Sequence, residues 1–234
     1  MSHTELREQA LQANLDIVQA GLVVLTFGNV SAVDRDAGVM AIKPSGVSYE
    51  ALRPDSIVLV DLETGATLDN GLRPSSDTPT HLVLYRRFAS VGGIVHTHSP
   101  YATAWAQARR AIPCLGTTHA DHFEGAVPVT RGLSGEELRG DYEASTGEVI
   151  AETLDGLMLD PLHMPAILVC SHGPFTWGAT AAAAVENAVA LEEVAASTLR
   201  AYQIDATVPD IDPALLDKHF QRKHGVGAYY GQPT

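Results

Sequence analysis

Two histidines stand one residue apart at the end of an apolar run, His96 and His98 in GGIVHTHSP (residues 92–100). On a strand, alternate residues share a face and lie about 7 Å apart along it. Both imidazoles can then lean toward one ion at about 2.0 Å. Thr97, between them, would face the other layer. Two ligands make a weak site, so a third is needed. His172 is the best candidate, because it too ends an apolar run, AILVCSHG, just before a Gly-Pro turn. Three imidazoles with one open position is the arrangement of catalytic zinc; manganese and cobalt accept the same ligands. Spacing alone leaves a plainer reading open, in which His96 and His98 are strand-end residues with ordinary hydrogen bonds. His81, His119 and His122 compete for the third position.

Carboxylates flank these histidines. Asp77 in SSDTPTH and Asp121 in THADHF could each orient an imidazole or move a proton. Asp77 also stands just before a helix start, where a solvated carboxylate is common. Two turns offer an anion site: KPSGV (43–47) and RPSSDTP (73–79) each combine a basic residue, a proline and serine hydroxyls, and Asn29 follows a glycine in TFGNVSA. Free amides, hydroxyls and a lysine suit a phosphate, although each turn alone is often just a turn. No G-x-G-x-x-G occurs, so nothing points to a dinucleotide.

The elements that must carry these residues alternate. Residues 5–20 have a helical apolar face, with Ser2 and Glu5 as a capping box and Gly21 as a stop. LVVLT (22–26) and VMAIK (39–43) read as strands, and SIVLVDLETGAT (56–67) as a hairpin. A helix follows, with Thr78 as N-cap and Pro79 at its first position. GGIVHTHS is a strand, and SPYATAWAQA opens the next helix. GTTHADHFEG could extend as a strand, which would put His119 and Asp121 on one face. Ser134 and Glu137 cap a helix running to about Gly156. AILVCSHG and TWG form a strand and its hairpin return. Thr180 caps an alanine-rich helix to about Tyr202, and Asp212–Pro213 open a last one that ends at Gly225. Helices alternating with strands, interrupted by hairpins, predict a three-layer α/β/α domain around a mixed, mainly antiparallel sheet. No linker or repeat divides the chain, so a single domain over residues 1–234 is expected.

Composition excludes several roles. A net charge of -13 with only RKHG as a basic stretch argues against nucleic-acid binding. No run is apolar enough to span a membrane, and no leader opens the chain, which leaves the cytoplasm as the default compartment. Cys114 and Cys170 lie in apolar runs without a C-x-x-C, as buried reduced thiols do. Tyr229 and Tyr230 in a glycine-rich end imply that the tail (225–234) docks on its own body or on a neighbour.

Taken together, LTFGNVSAVDR, IKPSGV, PSSDTPTH, GGIVHTHS, GTTHAD, SHGPFTWG and KHFQRKHGVGAYYGQ resemble the class II aldolase/epimerase family over almost the whole chain. The resemblance implies one zinc per subunit held by His96, His98 and His172, with Asp77 at the metal. It implies a phosphate site from Asn29, Lys43, Ser45, Gly46, Ser75 and Ser76. Asp121 and Tyr230 are implied as the proton-transfer pair, and Thr117, Glu143, His219 and Arg222 as residues lining the site. In the related aldolases a glutamate stands at the position of Asp77, so the aspartate favours an epimerase. The implied activity is inversion at C4 of a phosphorylated ketopentose, by retro-aldol cleavage of C3–C4 and re-addition. The implied assembly is a homotetramer with sites at subunit interfaces. A sugar-phosphate aldolase that releases its fragments is the nearest rival, and a metal-binding adaptor module the rival from outside enzymes.

Overall fold

The computed structural model describes residues 1–68 and 71–229. Tyr230, expected in the proton-transfer pair, lies outside these residues, as does half of the expected docking tail (230–234).

Six strands form one sheet in the order β3-β2-β1-β4-β6-β5. They are β1 (Asn29–Asp34), β2 (Val39–Ile42), β3 (Val58–Asp61), β4 (Gly93–His96), β5 (Ala166–Leu168) and β6 (Pro174–Gly178). Every ladder between them is antiparallel; a single parallel bridge, Val129 to Leu168, makes the sheet mixed. The strands are apolar at consecutive positions because both faces are covered. On β2, Val39 and Ala41 pack with α1 (His3–Gln19) and α7 (Ala181–Ile204). Met40 and Ile42 pack instead with α2 (Thr78–Arg87) and α6 (Tyr142–Gly156). This is the expected α/β/α sandwich. A third apolar cluster joins α3 (Pro100–Gln107) to the later half of α7 through Trp105, Leu191 and Val194. Among the described residues no helix is long and apolar enough to cross a membrane.

Local chemistry sets the helix starts. Ser2 and Glu5 form a reciprocal capping box on α1. Ser134 and Glu137 form another on α5 (Gly135–Arg139), and Thr180 caps α7. Small residues let α7 lie close on the sheet: a Cβ on Gly93 would sit 2.3 Å from the Cα of Ala181.

Five sequence expectations are corrected. LVVLT is not a strand: residues 22–28 form a turn beyond α1, with Leu25 in the left-handed region at φ 56°. Val24, Leu25 and Phe27 are exposed there, so the β-prone residues have no sheet neighbour to pair with. GTTHADHFEG folds into the short helix α4 (Thr117–Ala120), not an extended segment. The helix expected from Ser134 to Gly156 is two helices, because Gly140 ends α5 and Asp141 starts α6 by accepting from the Ala144 amide. Finally, β4 stops at His96, which leaves His98 in the loop that follows. The α2 cap is Asp77, one residue before the expected Thr78.

Candidate active site and metal centre

One end of the sheet gathers the chemistry. Asn29 opens β1 opposite His96, the last residue of β4, and Phe175 on β6 stands on the other side of His96. Asp77, the N-cap of α2, and Tyr142, the first residue of α6, arrive at the same end. His96 is buried and its ring stacks on Phe175, with centroids 4.2 Å apart. Its Nδ1 lies 2.9 Å from the Pro174 carbonyl. A carbonyl only accepts, so Nδ1 carries the proton and Nε2 presents a lone pair.

His98 reaches the same point without the strand periodicity that predicted it. Its Nε2 lies 3.1 Å from that of His96. The loop that carries it is held from both sides. Ser99 is buried and its carbonyl accepts from Thr103. The first amides of α3, Tyr101 and Ala102, donate at 2.8 and 2.9 Å to Glu192 on α7. His172 sits in the turn between β5 and β6, where Ser171 donates its amide to Ala106 at 2.9 Å. Gly28 and Gly173 pack against the His96–Thr97 segment: a Cβ would come within 2.8 Å of the His96 oxygen from Gly28, and within 2.8 Å of the Thr97 oxygen from Gly173.

The three imidazoles offer one nitrogen each, all within 4.8 Å of one another. Two nitrogens on a tetrahedral zinc at about 2.0–2.1 Å would be about 3.3 Å apart, close to the 3.1 Å between His96 and His98. The donor set therefore fits a divalent ion. Two of the rings, His98 and His172, are also held neutral, as ligation requires. Burial first, then the neighbouring histidines His96 and His98, push His172 down to about 4. Burial followed by His96 lowers His98. Asp77 lies on the wall of the same cavity, but the donor cluster closes on the three histidines without it. Its Oδ2 accepts from Asn29 at 2.6 Å. Burial opposes its charge, yet His96, His81 and the Asn29 bond together hold it below the usual carboxylate range.

Across the cavity, the two turns of like composition prove to be neighbours. Ser45 donates its amide to Arg73 and Ser75 donates to Lys43, each at 2.9 Å, around a Pro44–Pro74 bridge. They bring Ser45, Gly46, Ser75 and Ser76 to one wall beside Lys43 and Asn29. Lys43 is buried, its ammonium 4.7 Å from the Tyr49 ring centre and 3.4 Å from the Pro44 carbonyl. Among the described residues no carboxylate makes an ion pair with it. A buried ammonium without a counter-charge is costly, and burial lowers its pKa. The cavity, of about 440 Å³, thus has a three-nitrogen wall and a cationic, hydroxyl-rich wall.

Of the remaining expected residues, Glu143 lines this cavity. Thr117, Asp121, His219 and Arg222 do not; they belong to α4 and α8 (Pro213–His224), which pack together elsewhere. Arg222 grips Asp121 with two bonds of 2.9 and 2.6 Å, and His219 adds a third at 3.0 Å. Burial works against the Asp121 charge, but Arg222 and His219 outweigh it and keep the carboxyl low. His81 and His119, competitors for the third ligand, are buried apart from the donor cluster. Sequence reasoning missed Tyr142, whose hydroxyl lies 3.3 Å from His172 Nδ1. Its position at the first turn of a helix, beside Glu143, was the one available signal.

The Class II Aldolase and Adducin N-terminal domain family matches residues 8–199. This chain is a class II aldolase family member. The class II member is 55% identical over 228 residues to the L-ribulose-5-phosphate 4-epimerase UlaF of Salmonella paratyphi C (strain RKS4594), covering 97% of this chain and 99% of that one. The UlaF protein of Salmonella choleraesuis (strain SC-B67) matches to the same extent. Among solved structures, an L-fuculose 1-phosphate aldolase superposes with a TM-score of 0.79 at 21% identity, over 95% of this chain and 99% of that chain. YgbL of Klebsiella pneumoniae, a putative aldolase/epimerase/decarboxylase, gives 0.72 at 24%, over 93% and 99%. These structural likenesses support the class II fold alone.

Proposed function

We propose that the chain is a metal-dependent 4-epimerase that interconverts L-ribulose 5-phosphate and D-xylulose 5-phosphate. The observation that carries this is a single cavity with three convergent imidazoles on one wall and, on the other, buried Lys43, which has no carboxylate partner among the described residues. The 55% identity to UlaF supports the substrate. Zinc is the ion proposed, with manganese or cobalt as substitutes; when bound it supplies a Lewis acid for the ketose carbonyl. The chain acts as one domain in the cytoplasm.

The C4 hydrogen has no adjacent carbonyl and is not acidic, so inversion proceeds by breaking and remaking C3–C4. One residue removes the C4 hydroxyl proton as the bond breaks, leaving a three-carbon fragment and glycolaldehyde phosphate. The aldehyde turns its other face, the bond re-forms, and a second residue returns a proton to the C4 oxygen. Lys43 and the amides and hydroxyls of Ser45, Gly46, Ser75 and Ser76 hold the phosphate throughout, which keeps the fragments together. Asn29, through its bond to Asp77, orients that carboxylate at the cavity wall.

Asp121 and Tyr230 are proposed as the proton-transfer pair, with Thr117, Glu143, His219 and Arg222 around them. The absence of Asp121 from the metal cavity of its own subunit supports a composite site, in which a neighbour in a homotetramer supplies the α4–α8 cluster and the tail. Two assays test the proposal. L-Ribulose 5-phosphate should give D-xylulose 5-phosphate, lose activity to a chelator and regain it with zinc; accumulation of free aldehyde instead would mean an aldolase. Mixing inactive His98→Ala and Asp121→Asn subunits should restore turnover, and inactive mixed oligomers would refute the composite site.

A further inference from the structure

His96 owes its tautomer to the Pro174 carbonyl. Among the described residues no equivalent carbonyl serves His172. Among the described residues, the group at its Nδ1 is the hydroxyl of Tyr142, at 3.3 Å, with the two rings 6.3 Å apart and tilted by 34°. Tyr142 is held firmly enough to orient a partner. It is the first residue of α6, whose start is capped by the Asp141 carboxylate on the Ala144 amide. Thr80 on α2 donates to the Glu143 carbonyl at 2.6 Å, and Thr146 donates to the Tyr142 carbonyl at 2.9 Å. One turn on, Gly147 lets α2 and α6 touch, since a Cβ there would lie 2.7 Å from that of Val83. The phenol is therefore mounted on the same rigid helix pair that brings Asp77 to the cavity.

Tyr142 and His172 also line a second cavity, of about 580 Å³, that adjoins the first and includes Arg109 and Ser171. The Tyr142–His172 contact is thus the partition between two spaces. A ring so placed, on a turn and with space on two sides, needs a fixed hydrogen bond to keep its other nitrogen pointed at the ion.

We infer that Tyr142 is a positioning residue for the metal centre: its hydroxyl oxygen accepts the Nδ1 proton of His172, which fixes Nε2 as the coordinating atom. The inference rests on the reading of His96, His98 and His172 as a divalent-metal site. Its test uses the full-length protein, stripped of metal and titrated with cobalt(II) against a chromophoric chelator. Tyr142→Phe keeps the ring and removes the acceptor. The variant should bind cobalt at least about tenfold more weakly, within the range typical for lost outer partners of metal-bound histidines. Its visible cobalt absorption should shift, while the thermal midpoint of the metal-free form stays at the wild-type value. Unchanged affinity and spectrum would overturn the inference. So would an affinity loss matched by an equal fall in the metal-free midpoint, because the residue would then act by packing. Wild-type protein that fails to bind cobalt would instead refute the metal site itself, and the Tyr142 assignment with it.

Discussion

Gly173→Ala should push one of the three metal ligands, His172, away from the other two. Gly173 follows His172, and its missing side chain faces the carbonyl of Thr97, which lies between His96 and His98. A Cβ built there is 2.8 Å from that oxygen, 3.5 Å from His96 Cε1 and 3.7 Å from Thr103 Oγ1. Only the first contact is too short, and relieving it requires roughly half an ångström of movement, as in other overpacked sites. Neither side can give easily. The turn is closed by bonds from Val169 to Gly173 and from Ser171 to Ala106, each 2.9 Å, and Thr97 is a backbone neighbour of Pro174. Overpacking of this kind costs about 1–3 kcal/mol, against about 0.4–1 kcal/mol gained by restricting the unfolded chain. The net expectation is a loss of about 1–2 kcal/mol in urea denaturation of the metal-free protein. Because the strain falls between His172 and the His96–His98 segment, metal affinity should drop about tenfold or more, as when supporting groups are lost. Gly156→Ala is the control: nothing lies within 4 Å of its Cβ, at the end of α6, so it should gain up to about 1 kcal/mol. A Gly173→Ala protein as stable as wild type, with unchanged metal affinity, would refute the reasoning.

Lys43→Ala should raise KM for the sugar phosphate roughly 10- to 100-fold, the worth of a hydrogen bond to a charged group, and release aldehyde during turnover; wild-type kinetics without free aldehyde would remove the anion role. Glu192→Ala should cost about 1 kcal/mol by freeing the first amides of α3 and should weaken metal binding through His98, whereas Glu192→Gln should do less; calorimetry and metal titration read both.

What was legible in the sequence was what short-range chemistry dictates. VMAI is apolar at every position, and GIVH up to its final histidine, because the sheet is covered on both faces, and that signal survives without partners. The Ser2–Glu5 and Ser134–Glu137 boxes were legible because both halves lie within four residues. LVVLT carries the same β-branched signal as a strand, but its place beyond α1 offers no edge to pair with, which no local rule encodes. The histidine pair was correctly grouped for a partly wrong reason. Strand alternation predicts a shared face, yet β4 ends at His96, and His98 is brought round by α3 and Glu192. The adjacency of the Lys43 and Ser75 turns, and of Tyr142 and His172, is tertiary, and nothing in either stretch alone announces it. The Asp121 cluster was identified by resemblance, but its distance from the metal cavity needed the fold.

The buried histidines set how the protein should meet acid. Burial, opposed in part by Asp77, pushes His81 down to about 3; burial, opposed in part by the bond to Gly125, pushes His119 down to about 4. In the unfolded chain both titrate near 6.5. Above that value neither state is protonated and neither histidine affects stability. As pH falls, the unfolded chain takes up protons that the native state refuses, so stability is lost from about pH 6.5 downward until the folded values are reached. At pH 5 each histidine is about 1.5 units into this window, and at 1.36 kcal/mol per unit the pair removes about 4 kcal/mol. The depressed carboxyls of Asp77 and Asp121 also lose their contribution on acidification, but only as pH falls through the lower carboxylate range. The two causes are therefore separated in pH. Urea denaturation of the metal-free protein between pH 7 and pH 5 should show the histidine loss apart from the carboxyls, with His98, His122 and His172, also lowered, adding to it. His119→Gln, which retains a donor for the Gly125 carbonyl now bonded at 2.8 Å, should reduce the loss between pH 7 and pH 5 by about 2 kcal/mol. Stability that is flat across this interval would mean that His81 and His119 take up protons in the folded protein as readily as in the unfolded chain, and that burial does not keep them neutral.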